Sequence, residues 1–183
     1  MPINRPEQFF ASVAELEVWL ESETADEGIW AVYYKKSAGL SDLNWETLVE
    51  TCLCFGWIDT LPGKVDSEKT KTYIAPRKRG SGWSRRNQIL VSELEGQGRI
   101  RAKGAEVIQR AKTDGSWYLF DMAEDLVLSP ELALALSHNS LEERWNSLTA
   151  SQRKQKLQFL YSAKTEPTRQ ARLMKLLQEL QGS

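Results

Sequence analysis

Residues 54–87 constrain the fold most strongly, because tryptophans, glycines and charged side chains interrupt the regular spacing of apolar residues there. The segment begins with Cys-Phe-Gly-Trp-Ile-Asp at 54–59 and ends with Arg-Lys-Arg-Gly-Ser-Gly-Trp-Ser-Arg-Arg-Asn at 77–87. Departures from local sequence rules of this kind are typical of functional sites. We therefore expect the segment to run through the middle of the protein and to carry a site.

The centre of this segment has the pattern of a β-hairpin. Residues 57–60 and 71–75 are rich in aromatic and β-branched side chains, which favour strands. Pro62-Gly63 lies between them and is a turn signal, so we expect the chain to reverse direction there. A similar run at 28–35 predicts a further strand.

Apolar residues at helical spacing predict helices on both sides of these strands. Helices are expected after Ser12, after Ser41 or Asn44, after Ser84, around Ala105–Ala111, and at 130–137, 140–148, 151–161 and 165–180. The predicted fold class is α+β, with a small antiparallel or mixed sheet packed with helices and followed by a helical C-terminal module. The predicted domains are an α+β domain at 1–115, an acidic connector at 116–129 and the helical module at 130–183. Thr149 and Thr165 are expected to cap the last two helices.

Charged residues are grouped along the chain, although the formal net charge is −1. Residues 64–86 hold eight Lys/Arg against two Asp/Glu, residues 153–175 hold seven against one, and residues 121–143 hold six acids without Lys or Arg. Because the net charge is nearly zero, the protein as a whole is not strongly attracted to DNA or to an anionic membrane. Cations interleaved with Trp and Tyr nevertheless suit contact with phosphates and bases, so nucleic-acid binding stays an alternative.

Several classes of protein are disfavoured by the sequence. Cys52 and Cys54 lie two apart in an apolar helical pattern, which fits reduced thiols and not a disulfide framework. The chain shows no cluster of residues at metal-ligand spacing and neither GxxxxGK[ST] nor GxGxxG, so no metal and no cofactor are expected. The sequence shows no export signal and no membrane span, and we expect a cytoplasmic protein.

Four segments together resemble the bacterial YdeI/OmpD-associated family, also called bacteriocin-protection proteins. These segments are residues 30–36, 54–59, 77–87 and 163–172. The resemblance is expected to span nearly the whole chain. It implies a role in stress tolerance and supplies no reaction that can be carried over.

The candidate site is an aromatic and basic cleft formed by the two ends of the central segment. Its expected ligand-binding residues are Trp57, Asp59, Tyr73, Arg77, Ser81, Trp83, Ser84 and Asn87. The loop Gly80–Ser84 precedes a helix and is surrounded by cations. It is therefore either an anion site at the helix N-terminus or a solvated connector.

Asp59 is the most informative of these residues, because it follows Trp57-Ile58 in an apolar strand. A buried carboxylate is unfavourable unless it is paired, and Arg77 is the expected partner. The pair is either a structural ion pair or part of a ligand pocket, and the sequence leaves both open.

Three functions remain open. The first is a binding protein for a small anionic or aromatic ligand or for a segment of a partner, the second is a nucleic-acid-binding protein, and the third is an enzyme that uses Asp59 and Arg77. Catalysis by Cys54 is disfavoured because the only histidine, His138, is distant in the sequence, so a buried and unreactive thiol is expected. We expect a binding protein and not an enzyme, since no nucleophile, base and orienting group can be identified from spacing.

Overall fold

The computed structural model describes residues 5–22 and 27–182, which divide into two compact units. The first, here called the sheet unit, comprises residues up to Ser81 together with Arg86–Asp114. The second, here called the helical unit, comprises Gly82–Arg85 and the chain from Gly115 onward. With a mixed sheet in one unit and helices throughout the other, the α+β fold class is confirmed.

The sheet unit combines four strands with helices. Its strands are β1 (Glu7–Phe9), β2 (Ile29–Tyr34), β3 (Trp57–Lys64) and β4 (Lys69–Pro76), and its helices are α1 (Val13–Ser22), α2 (Trp45–Cys54), α3 (Arg85–Gly96, whose first residue belongs to the helical unit) and α4 (Ala102–Thr113). A 3-10 turn at Lys36–Ala38 follows β2. The helical unit contains α5 (Asp121–Glu124), α6 (Pro130–His138), α7 (Glu142–Ser147), α8 (Ala150–Tyr161) and α9 (Glu166–Gln181).

The strands form one mixed sheet in the order β1-β2-β4-β3. β1 pairs with β2 in parallel, and the other neighbours are antiparallel. β1 is absent from the sequence-based prediction, because three residues are too few to show a period of two. Its pairing is extended by backbone bonds from Trp30 N to Pro6 O and from Phe10 N to Val32 O, both 2.9 Å.

The hairpin expected at 57–75 is confirmed, but the turn expected at Pro62-Gly63 is wrong. Both residues lie within β3, and the chain reverses between β3 and β4 at residues 65–68. Proline is tolerated there because β3 is an edge strand, whose outer amides need no partner in the sheet. The turn is closed by Asp66, whose Oδ1 accepts from the amides of Glu68 (2.8 Å) and Lys69 (2.7 Å).

Helix α2 packs along the sheet and forms the centre of the sheet unit. Asn44 is its N-cap, with its side chain accepting from the amides of Glu46 and Thr47 in a capping box. The helix buries an apolar face that includes Leu48 and Leu53, and it ends at Cys54 before Gly56, where φ is +77°. Glycine suits this last position, because other residues rarely adopt a left-handed backbone.

The helical unit has its own core. Buried members are Ala123, Leu132, Leu136, Leu141, Trp145, Leu157, Leu160, Leu173, Leu176 and Leu180. Ser129, Thr149 and Thr165 cap α6, α8 and α9 through their hydroxyls, which confirms the two caps expected for the last helices. Ala123, on α5 in the expected connector, is fully buried in this core. None of the helices among the described residues has the length and apolar character needed to cross a membrane.

Candidate functional site

The eight residues that the sequence assigns to the site fall into both units. Trp83 and Ser84 belong to the helical unit, and the other six belong to the sheet unit. Ser81 and Asn87 are half-buried, and the amide of Ser81 donates to Lys78 O over 3.1 Å. The ligand-binding role of these residues stays a prediction.

The three aromatic members of the predicted site are buried. Exposure is 5% for Trp57, 8% for Tyr73 and 0% for Trp83. Trp57 packs edge-on against Trp19, with ring centroids 5.3 Å apart, and Trp83 lies 4.8 Å from the ring of Trp117. Much of each ring surface is therefore occupied by the protein's own side chains.

Arg77 is a buried cation, and the charge of Asp59 affects its pKa. Burial lowers the pKa of Arg77 to about 10, and the negative charge of Asp59 acts in the opposite direction. The Arg77 amide donates to Gly56 O (3.0 Å), and Arg77 O accepts from Arg110 Nη2 (3.2 Å). The Asp59 carboxylate accepts a hydrogen bond from Trp45, and the ion pair of Asp59 with Arg77 expected from the sequence stays a prediction.

The cations near the glycine-rich loop interact with different groups. Arg85 makes two hydrogen bonds to Asp125 in the helical unit, of 2.7 and 3.1 Å. Arg86 lies in the sheet unit with its guanidinium 4.4 Å from the centroid of the Trp45 ring. An anion site at this loop requires several cations that point to one place. The contacts of Arg85 and Arg86 with different groups do not support such a site.

Both cysteines are free and buried. Burial raises the pKa of the Cys54 thiol, and it raises that of Cys52 more strongly. A raised pKa leaves little thiolate at neutral pH, which agrees with the unreactive Cys54 expected from the sequence. Within residues 5–22 and 27–182, no group of His, Cys, Asp and Glu is placed to hold a metal ion.

A groove of about 600 Å³ opens in the sheet unit between the sheet and the first turn of α2. It is lined by residues of β2, the segment that follows β2, β3, β4 and the N-terminus of α2: Tyr33, Lys35, Lys36, Asn44, Trp45, Glu46, Asp59, Thr60, Leu61, Pro62, Thr70, Lys71 and Thr72. Asp59 is the one member of the predicted site among these lining residues.

Asp59 enters the groove through an irregularity of β3. The register between β3 and β4 shifts between Asp59 and Leu61, and such bulges redirect a side chain at the edge of a sheet. The Asp59 carboxylate accepts a hydrogen bond of 3.3 Å from Trp45 Nε1, and Trp45 is 40% exposed. A carboxylate and an indole therefore meet on the groove wall.

Tyr33 provides a second aromatic group on the same wall. Its hydroxyl is buried and forms a hydrogen bond of 2.8 Å with Thr72 Oγ1. Burial is the main cause of the raised pKa of Tyr33, and the charge of Asp59 adds to it. Tyr33 is therefore a neutral hydrogen-bonding group at physiological pH.

The lysines and amides at the groove rim have partners within the protein. Lys36 forms an ion pair with Glu46 (2.7 Å), which lowers the pKa of Glu46. Lys35 Nζ donates to the backbone oxygens of Asp66 (2.7 Å) and Ser67 (3.0 Å). Asn44 takes up the amides at the start of α2.

Sequence reasoning did not identify Tyr33 and Trp45 as neighbours of Asp59 in the groove. Tyr33 lies in a strand of uniformly apolar and aromatic residues, so its position gives no separate signal. Trp45 directly follows the capping residue Asn44, and a large aromatic residue at the first position of a helix is the signal that was available.

Comparison with known families divides the chain in two. The family model described as "Domain of unknown function (DUF8412)" matches residues 8–107, more than half of the 183 residues. The model described as "Bacteriocin-protection, YdeI or OmpD-Associated" matches residues 125–182. This second match confirms the resemblance for the C-terminal part, which includes segment 163–172, whereas the other three segments lie within residues 8–107.

The searches of curated proteins and of solved structures found no match. The family assignment of the chain therefore rests on the two family matches. Residues 8–107 show that the chain belongs to the DUF8412 family of unknown function, and residues 125–182 give it a C-terminal region of the YdeI/OmpD-associated bacteriocin-protection type.

Proposed function

We propose that this bacteriocin-protection-like protein is a binding protein whose ligand occupies the groove of the sheet unit. The observation that carries the proposal is the position of Asp59, which lines a cavity of about 600 Å³ beside the exposed indole of Trp45. Small-molecule sites are typically cavities of roughly 300–1,000 Å³ with apolar walls and a few polar groups that orient the ligand. The groove has this size, and its lining combines apolar surface with several polar side chains.

The groove favours a ligand with an aromatic body and a hydrogen-bond donor or cationic group. Trp45 offers aromatic surface, Leu61 and Pro62 offer aliphatic surface, and Asp59 offers a carboxylate acceptor, while Tyr33 is buried in the groove wall. A cation next to aromatic rings and a carboxylate is favourable. Of the ligands expected from the sequence, an aromatic molecule or an aromatic side chain of a partner segment therefore suits the groove better than an anion.

Binding has more support than catalysis at this place. The groove lining contains neither histidine nor cysteine, so Asp59 has no adjacent nucleophile and base of the usual kind among these residues. Arg77, which the enzyme hypothesis pairs with Asp59, is only 4% exposed.

A matched pair of probes tests the proposal. Tyramine and 3-(4-hydroxyphenyl)propionate share a phenol and differ in the sign of their charge. Saturation-transfer NMR and titration calorimetry should detect tyramine and show the propionate to be at least about tenfold weaker, since one charge-assisted hydrogen bond is lost and a repulsion gained.

Substitutions in the groove should remove this preference. Asp59→Asn keeps an acceptor for Trp45 Nε1 and should weaken tyramine about tenfold, whereas Glu142→Gln removes one exposed carboxylate of the helical unit and should change nothing. Trp45→Leu should weaken both probes. Equal binding of the two probes, or tyramine binding that Asp59→Asn leaves intact, would contradict the proposal.

A further inference from the structure

The side of the sheet opposite Tyr33 and Thr72 carries a second aromatic surface. Alternate residues of a strand point to opposite sides, and the Tyr33–Thr72 hydrogen bond defines the groove side. The other side therefore presents an aromatic face. Strand pairing places Phe9, Trp30, Tyr34, Tyr73, Glu7, Lys69 and Lys71 on it, and Arg5 lies over the Tyr73 ring.

Rings and cations alternate regularly on the aromatic face. Lys69 Nζ lies 4.9 Å from the ring centroid of Phe9 and 5.6 Å from that of Tyr34. Lys71 Nζ lies 5.0 Å from the Trp30 ring, and the Arg5 guanidinium lies 4.1 Å from the Tyr73 ring. Each ring therefore has a cation within reach.

The rings are held in place, and all of them except the buried Tyr73 remain partly accessible. Phe9 meets Tyr34 edge-on with centroids 5.3 Å apart, and Trp30 meets Tyr73 in the same way at 5.5 Å. Phe9 is 42% exposed, and Trp30 and Tyr34 are half-buried. Preordered rings lose little conformational entropy when another flat group stacks on them.

We propose that the aromatic face binds single-stranded nucleic acid. Three cations, Arg5, Lys69 and Lys71, stand against one carboxylate, Glu7, which forms an ion pair with Lys71. This excess of positive charge complements phosphates, while exposed rings on a sheet stack with unpaired bases. The proposal goes beyond the ligand groove and uses the opposite side of the same sheet; Lys71, whose Nζ lies beside Trp30, is the one residue of the aromatic face that also lines the groove.

The spacing of the rings fits a short extended strand. Trp30 and Tyr34 are four residues apart on β2, which corresponds to about 13 Å at roughly 3.3 Å per residue. In an extended strand, two bases that stack on these rings are separated by one intervening nucleotide. The long side chains of Lys69 and Lys71 need only shift from the rings to the phosphates, so bases replace them on the aromatic surface.

Fluorescence anisotropy with fluorescein-labelled dT10 and rU10 tests this surface. We expect micromolar binding to the full chain in 50 mM salt, with a slope of log K against log salt near −2 for three cations. The Lys69→Gln/Lys71→Gln pair should reduce the slope to about −0.7. Comparing dT10 with rU10 distinguishes DNA from RNA as the source of the ligand.

Substitution of the rings separates stacking from simple charge attraction. Phe9→Ala with Tyr34→Leu should weaken dT10 at least about tenfold, and Trp30→Leu should act similarly. Tyr118→Leu and Lys164→Gln alter an exposed ring and an exposed cation of the helical unit and should have no effect. Glu7→Gln should tighten binding a few-fold by removing the carboxylate. Circular dichroism and thermal unfolding verify the fold of each variant.

Three results would overturn the proposal. The first is the absence of dT10 and rU10 binding in 50 mM salt. The second is binding that the ring substitutions leave unchanged and that dextran sulfate abolishes, which indicates a nonspecific polyanion surface. The third is self-association through Phe9 and Tyr34 in sedimentation experiments without oligonucleotide binding, which indicates contact with a second copy.

Discussion

Tyr161 in the helical unit and Tyr33 in the sheet unit show how differently the two units use the hydroxyl of a tyrosine. Tyr161 donates to Val127 O (2.7 Å) and accepts from Ser129 N (2.8 Å), so it ties the loop before α6 to α8. Tyr33 bonds to Thr72 beside an open groove that also contains Asp59. Burial raises the pKa of both tyrosines. The tyrosine hydroxyl of the helical unit thus joins two segments of the chain, whereas that of the sheet unit lies at a cavity.

The largest effect is expected in the core of the helical unit. Leu132 is fully buried on α6, whereas Leu134 on the same helix is 59% exposed. Leu132→Ala should lower the free energy of unfolding by about 3 kcal/mol, because it removes apolar contacts and leaves a cavity. Chemical denaturation measures the loss. Leu134→Ala is the matched control and should change stability by less than about 0.5 kcal/mol; equal losses would mean that the core is placed incorrectly.

The helical unit was also the part that sequence reasoning predicted best, for a local reason. The capping residues Thr149 and Thr165 predict the starts of α8 and α9, and leucines at helical spacing predict their buried faces. Such signals lie within a few residues of the structure they specify. These signals can therefore be recognised without knowing which distant residues are in contact.

The sheet unit was predicted less completely, because its features depend on pairing between distant residues. Pro62 looks like a turn residue and is tolerated inside β3 only because β3 is an edge strand. Asp59 was identifiable as a carboxylate in an apolar strand. Its neighbours in the groove, Tyr33 and Trp45, come together with it only through strand pairing and the packing of α2.

A second prediction concerns the close approach of α4 to α2. A Cβ added to Gly104 would lie 2.1 Å from Cys54 O, whereas a Cβ on Gly96 would meet no atom within 4 Å. Gly104→Ala should destabilise the protein by about 2 kcal/mol despite alanine's better helix propensity. Gly96→Ala should leave stability unchanged or raise it by up to about 1 kcal/mol. Thermal unfolding that ranks the two variants in the reverse order would refute this packing.

A third prediction compares one helix cap in each unit. Asn44 caps α2 at the groove, and Thr165 caps α9 in the helical unit. Replacement of either by alanine should cost about 1 kcal/mol, since amides of the first turn lose their acceptor. Asn44→Ala should in addition weaken tyramine binding, because the first turn of α2 lines the groove. Asn44→Ser retains a capping hydroxyl and should keep most of the stability that Asn44→Ala loses. If Thr165→Ala weakens tyramine binding as much as Asn44→Ala does, the effect is not specific to the groove.

The smallest effect is expected from exposed ion pairs. Lys36 pairs with Glu46 at the groove rim, and Lys156 pairs with Glu179 between α8 and α9, each at 2.7 Å. Each lysine lowers the pKa of its glutamate, so each pair stabilises the folded state above the glutamate's ordinary pKa. This contribution should disappear as the pH falls through the lowered pKa of the folded state.

Lys36→Gln and Lys156→Gln test these two pairs under the same conditions. Each should lower the unfolding midpoint slightly at pH 7, because the glutamate is then ionised and loses its partner. The difference from the unsubstituted protein should vanish below the lowered glutamate pKa and shrink in 1 M salt, where exposed charges are screened. If the unfolding midpoint of Lys36→Gln stays lower than that of the unsubstituted protein in acid and in high salt, Lys36 supports the groove through packing and not through its charge. The groove rim would then depend on side-chain packing, as the core of the helical unit does.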